Sequence, residues 1–163
     1  MRKFIDKSLR IVLVTLMATL VLSVIWQVFS RYVLQSPSIF TDELARFLLI
    51  WVSLLGAAYY SGQNQHIAID IFPRKLSENN LTRYKIFSAV IIALFVFLVF
   101  VVGGGYLIYT TAIYTQISPA LQLPVAVVYA VGPISGLLII FFKLSDIWNV
   151  MFSEQSTSSL KQN

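Results

Sequence analysis

Four stretches of this chain are apolar for about 20 residues each, the length at which a helix crosses a bilayer core of roughly 30 Å. One begins Ile11-Val12-Leu13-Val14 and another carries Phe47-Leu48-Leu49-Ile50-Trp51. Hydrocarbon offers no hydrogen bonds, so a spanning segment has to satisfy its own backbone, and a helix does so without a partner strand. Composition agrees: of 163 residues, 58% are hydrophobic and 12% charged, about half the charge of a soluble domain. The expected fold class is an all-α integral membrane protein with four transmembrane helices, at about residues 11–32, 42–62, 84–115 and 124–148. Residues 1–150 would form a single four-helix membrane domain. The polar, Ser- and Thr-rich residues 151–163 would be a flexible cytoplasmic tail.

Charge sets the expected orientation. The first ten residues hold Arg2, Lys3, Lys7 and Arg10 against Asp6, and the connection after the second span holds Arg74, Lys75, Arg83 and Lys85 against Asp70 and Glu78. The turn from Gln116 to Leu123 has no charge. The positive-inside rule then puts both termini and the middle connection in the cytoplasm. Tyr106, Tyr109 and Tyr114 would lie at the outer interface, where a ring buries its body and wets its hydroxyl. In residues 2–12, Phe4, Ile5, Leu9 and Val12 share one helical face and the charges another, which suits a short interfacial helix on anionic lipid. The competing reading of the start is a secretory signal peptide, but the apolar stretch is long and no small-x-small cleavage site closes it. In His66–Pro73, Ile67, Ile69 and Ile71 fall on one side of an extended stretch expected to pack at the inner interface.

Catalysis finds little material. There is no cysteine and a single histidine, so thiol chemistry, cysteine metal sites and a bis-histidine haem are excluded, and no cofactor is expected. The net charge of +5 comes from basic residues placed between apolar segments, which argues for topology rather than nucleic acid. No span carries an ionisable residue near its midpoint, where a transporter holds substrate and coupling ions. A stand-alone dimeric exporter of cations would need a reachable membrane carboxylate, and Glu43 is the one candidate.

The charges that do adjoin a span are Arg31, Asp42, Glu43 and Arg46. Asp42 and Glu43 lie four and three residues before Arg46, so both carboxylates can reach it along one helix surface. Thr41 would cap that helix, and Arg31 would reach across from the first span. These four are expected to form a structural ion cluster. Close helix approach is expected at Gly56, at Gly103, Gly104 and Gly105, and at Gly132 and Gly136, because small residues let backbones meet in lipid. A helix from Leu81 to Thr115 would measure about 50 Å, so the third span must tilt, bend at its glycines or protrude.

The run Phe40-x-Asp42-Glu43-x-Ala45-Arg46-x-x-x-x-Trp51-x-x-x-x-Gly56-Ala57-Ala58, with Arg31-Tyr32 before it and His66-Ile67-x-Ile69-Asp70 after it, resembles the small membrane subunit of tripartite ATP-independent periplasmic (TRAP) transporters, the DctQ-like Q subunit. The resemblance implies a scaffold in a bacterial inner membrane, bound to a large multi-span subunit that carries the substrate and sodium sites. It also implies a periplasmic binding protein that delivers an organic acid, a sialic acid or a C4-dicarboxylate, and docks transiently on the outer face. Gln35, Ser36, Gln116 and Ser118, in the two outer connections, are then the candidates for touching it.

Overall fold

The computed structural model of the chain describes residues 2–63 and 78–160. Among these, four helices are long and apolar enough to cross a membrane: Phe4–Tyr32, Ile39–Gln63, Ile86–Ile113 and Val125–Ser145. The segment His66–Pro73 lies outside the described residues.

Helix α1 runs from Arg2 to Tyr32 without a break. No glycine or proline precedes Pro37, so nothing interrupts it. The amphipathic start is therefore helical but continuous with the first span, rather than a separate interfacial helix. Its apolar face also meets protein: Leu9 is buried with Leu55 and Phe142, and Ile5, Leu13 and Leu16 pack on that cluster.

Gln35, at φ 50°, turns the chain at the end of α1, and the Ser36 N–H returns to the Ser30 carbonyl at 3.1 Å. Helix α2 then spans Ile39–Gln63. Its cap is Ser38, whose Oγ accepts the Thr41 N–H at 3.4 Å, so Thr41 stands inside the first turn instead of capping it.

The third span is one helical rod in three parts: α3 over Glu78–Val96, a π-helical segment over Phe97–Gly103 and α4 over Gly104–Ile113. The glycines do not interrupt the rod. Gly103, which closes the π-helical segment, and Gly104 both keep right-handed helical angles, and the wider turn ends immediately before Gly104. After the loop 114–124 come the five-residue helix α5, Val125–Tyr129, and α6, Val131–Leu160. Pro133 accounts for the break between them, since it has no N–H to offer the Tyr129 carbonyl. Beyond Gly136 the chain has neither glycine nor proline, and α6 continues through ten residues that the sequence reads as a flexible tail.

Helix α1 packs mainly on α2, α2 also on α6, and α6 on the α3–π–α4 rod. Phe142 and Val131 are fully enclosed, and a second cluster joins Ala58, Val96 and Ile139. The outward faces remain apolar, among them Val14, Leu22, Phe95 and Leu137, as expected of surfaces that meet lipid tails or another span.

Candidate functional site

The charged group at the start of α2 braces the end of the bundle that holds the α1–α2 and α4–α5 connections. Asp42 makes two contacts. Its Oδ2 meets Arg46 Nη2 at 2.8 Å one turn along α2, and its Oδ1 accepts from Gln27 Nε2 of α1 at 2.6 Å. Thus Gln27, not Arg31, supplies the cross-helix link. Arg31 is exposed and forms no ion pair among the described residues. It lies one turn nearer the connection than Gln27, which occupies the position facing Asp42.

Glu43 turns away from this pair. Its Oε2 accepts the backbone N–H groups of Ala120 at 2.8 Å and Leu121 at 3.1 Å, and the Ser118 side chain hydrogen-bonds the same carboxylate. Two consecutive amides in a turn form a small anion-binding concavity, and an ionised acceptor makes the bonds charge-assisted. The loop brings no charge of its own, so α2 provides it. Arg46, with its side chain 75% exposed, does not hold both carboxylates as its spacing suggests. One acid binds it and the other binds a loop 77 residues away.

That loop is ordered by its own bonds. Ile117 and Pro124 form an antiparallel bridge, with Ser118 N–H to Leu123 O at 2.9 Å and Val125 N–H to Gln116 O at 3.0 Å. Thr115 and Gln122 take left-handed angles, φ 43° and 54°, which bend the chain at both sides of the pinch. The Gln122 side chain donates to Pro119 O at 3.0 Å. Ser118 is 1% exposed, and its Oγ accepts the Leu121 N–H at 3.3 Å, so it helps to order the loop from within. Gln35, Ser36 and Gln116 are exposed.

The glycines divide. A Cβ at Gly104 would stand 2.9 Å from Pro133 Cδ, and one at Gly136 2.7 Å from Phe100 Cβ. These two let the rod and α6 meet. Gly132 lies beside them at ordinary distance, Gly103 nears Leu98 O of its own helix, and Gly56 and Gly105 face open space. Gly62, which the sequence does not single out, receives the Phe142 ring 3.1 Å from where its Cβ would be. Gln27 is the other omission. A glutamine inside an apolar span was the available signal, whereas the amides of Ala120 and Leu121 carry no side-chain trace at all.

Among the described residues no group of three or more His, Cys, Asp or Glu side chains could hold a metal ion. The arrangement can fix helices and a loop. Among the described residues it brings together no acid–base pair and no charged site halfway along a span.

Comparison with known proteins gives the family. Residues 20–152 match the family described as tripartite ATP-independent periplasmic transporters, DctQ component. The chain is 30% identical to the sialic acid TRAP transporter small permease protein SiaQ of Vibrio cholerae, over 93% of this chain and 86% of that protein. It is 24% identical to a putative TRAP transporter small permease protein of Haemophilus influenzae, over 91% of each. A 74-residue stretch, 43% of this chain, is 32% identical to 12% of the H. influenzae sialic acid TRAP transporter permease protein SiaT. The chain belongs to the DctQ component family of TRAP transporters, and is part of a membrane transporter rather than an enzyme.

Proposed function

We propose that this chain is the accessory small permease subunit of a sodium-driven TRAP transporter that imports an organic acid of the sialic acid class into a bacterium. As a TRAP small permease it works with a large permease subunit and a periplasmic binding protein. It sits in the inner membrane with both termini cytoplasmic. Similarity to SiaQ over 93% of the chain supports the substrate class, and the basic residues at the start of α1 support the orientation.

The observation that carries the accessory role is the binding of Glu43 to the loop amides of Ala120 and Leu121. The one acid free of Arg46 is spent on holding two connections together, so it is not offered to a solute. The brace presents Gln35, Ser36 and Gln116 as a fixed outer rim for the binding protein, while the apolar outward faces and the Gly104–Gly136 seam support packing against the large subunit.

The test is co-expression of the tagged chain with the large subunit. A stoichiometric complex is expected from detergent extracts. A chain that purifies alone and extrudes cations from liposomes would instead establish the dimeric exporter. Because the chain has no cysteine, Gln116→Cys and Ser8→Cys report the orientation. An impermeant maleimide should label the first from the periplasm and the second only after lysis, and the reverse pattern would overturn the topology.

A further inference from the structure

The two ends of the α1–α2 hairpin are both polar, and among the described residues only one of them is satisfied by side-chain pairing. At the connection end, Gln27 pairs with Asp42. Following the same antiparallel register to the other end brings Asp6, Lys7 and Arg10 of α1 beside Tyr59 and Gln63 of α2, where they line a hollow of about 220 Å³. A single water needs roughly 10–15 Å³, so the hollow takes a ligand of headgroup size. Gln63 Nε2 donates to the Tyr59 hydroxyl at 3.1 Å. Lys7 and Arg10 are exposed and form no ion pair among the described residues, and Oδ1 of Asp6 is buried without a hydrogen bond. Among the described residues the site thus sets two cations outside any ion pair beside one acid that has an unmet acceptor.

Its depth identifies the medium it meets. From Lys7 to Gln27 is about 20 residues, or roughly 30 Å along the axis, the thickness of the hydrocarbon core. With Gln27–Asp42 at one interface, the hollow lies at headgroup level in the opposite leaflet. Directly along α1 from Lys7 and Arg10, on the same helical face, Val14, Met17, Ala18, Val21 and Leu22 line a shallow apolar depression. That face points away from the Leu9 and Leu13 side that packs on α2. A charged hollow with an apolar stripe farther along the same helix complements a phospholipid.

The geometry points to a site for one phosphoethanolamine lipid. Its phosphate lies between Lys7 and Arg10 with the Tyr59 hydroxyl in reach, its ammonium meets the Asp6 carboxylate, and an acyl chain lies along Val14–Leu22. Phosphatidylglycerol would satisfy the cations but offer Asp6 neutral hydroxyls in place of an ammonium, so the pocket favours the zwitterion.

The test is native mass spectrometry of the detergent-purified complex with the large subunit, titrated with dioleoyl phosphatidylethanolamine or dioleoyl phosphatidylglycerol. The wild type should retain one phosphatidylethanolamine in preference to phosphatidylglycerol. Lys7→Gln with Arg10→Gln should weaken that binding about thirtyfold, taking roughly fivefold for each basic residue near a headgroup. Asp6→Asn should keep phosphatidylglycerol binding and abolish the preference, a readout that a merely misfolded chain would not produce. Equal adducts in all three proteins would mean annular lipid only and overturn the site. A wild-type preference for phosphatidylglycerol would overturn the role of Asp6.

Discussion

Replacing Gly136 by alanine puts opposing effects on one atom. The new Cβ would stand 2.7 Å from Phe100 Cβ and 3.4 Å from Val101 Cγ2, whereas carbons rest at about 3.5–4.0 Å. Phe100 Cβ is bonded directly to the backbone, so no rotamer change relieves the clash. Either α6 or the π segment must move by close to 1 Å. Overpacking of this kind costs about 1–3 kcal/mol, against a gain of about 1 kcal/mol for replacing glycine in a helix. The net expectation is a loss of about 0–2 kcal/mol, with a melting temperature lower by up to roughly 8 °C for a chain of this size. Gly132→Ala isolates the gain: the nearest atoms to its Cβ are Gly104 Cα and Phe100 O, both at 4.0 Å, so it should melt at or above the wild type. Thermal scans of the detergent-solubilised complex, read by the size-exclusion peak that survives heating, give both values. A Gly136→Ala protein more stable than Gly132→Ala would refute the tight seam.

Three further substitutions probe the brace. Glu43→Ala should raise hydrogen exchange at the amides of Ala120 and Leu121 while leaving α2 protected, and unchanged exchange in residues 116–124 would show that the loop holds itself. Gln27→Leu should cost about 1 kcal/mol, since a hydrogen bond to a charged group contributes about 1.5–3 kcal/mol and the Asp42 side chain is 37% exposed. Arg46→Gln should cost only about 0.3–0.5 kcal/mol, as for an exposed pair four apart on a helix. Melting of the three proteins side by side decides the order, and a larger loss at Arg46 would return the ion pair to the centre of the brace.

What could be read from the sequence followed physical scale. A run of twenty apolar residues has one good solution in lipid, so the four spans were readable, and the glycines near Pro133 and Phe100 were readable as a class. Individual partners were not. Periodicity places Asp42 and Glu43 within reach of Arg46, but it cannot rank Arg46 against two backbone amides contributed by a loop 77 residues away. Ser118 looked available because serine in a loop usually is. Its burial follows from the bridge between Ile117 and Pro124, a tertiary feature. Likewise Leu9 shares a buried cluster with Leu55 and Phe142, a grouping of segments far apart in the chain.

Sialic acid uptake by proteoliposomes tests most directly whether this chain serves a transporter it does not itself constitute. Vesicles holding this chain with the large subunit, supplied with the binding protein and an inward sodium gradient, should accumulate sialic acid. Vesicles with the chain alone should accumulate none. Uptake by the chain alone would contradict the accessory role, and uptake by the pair without a sodium gradient would contradict the coupling.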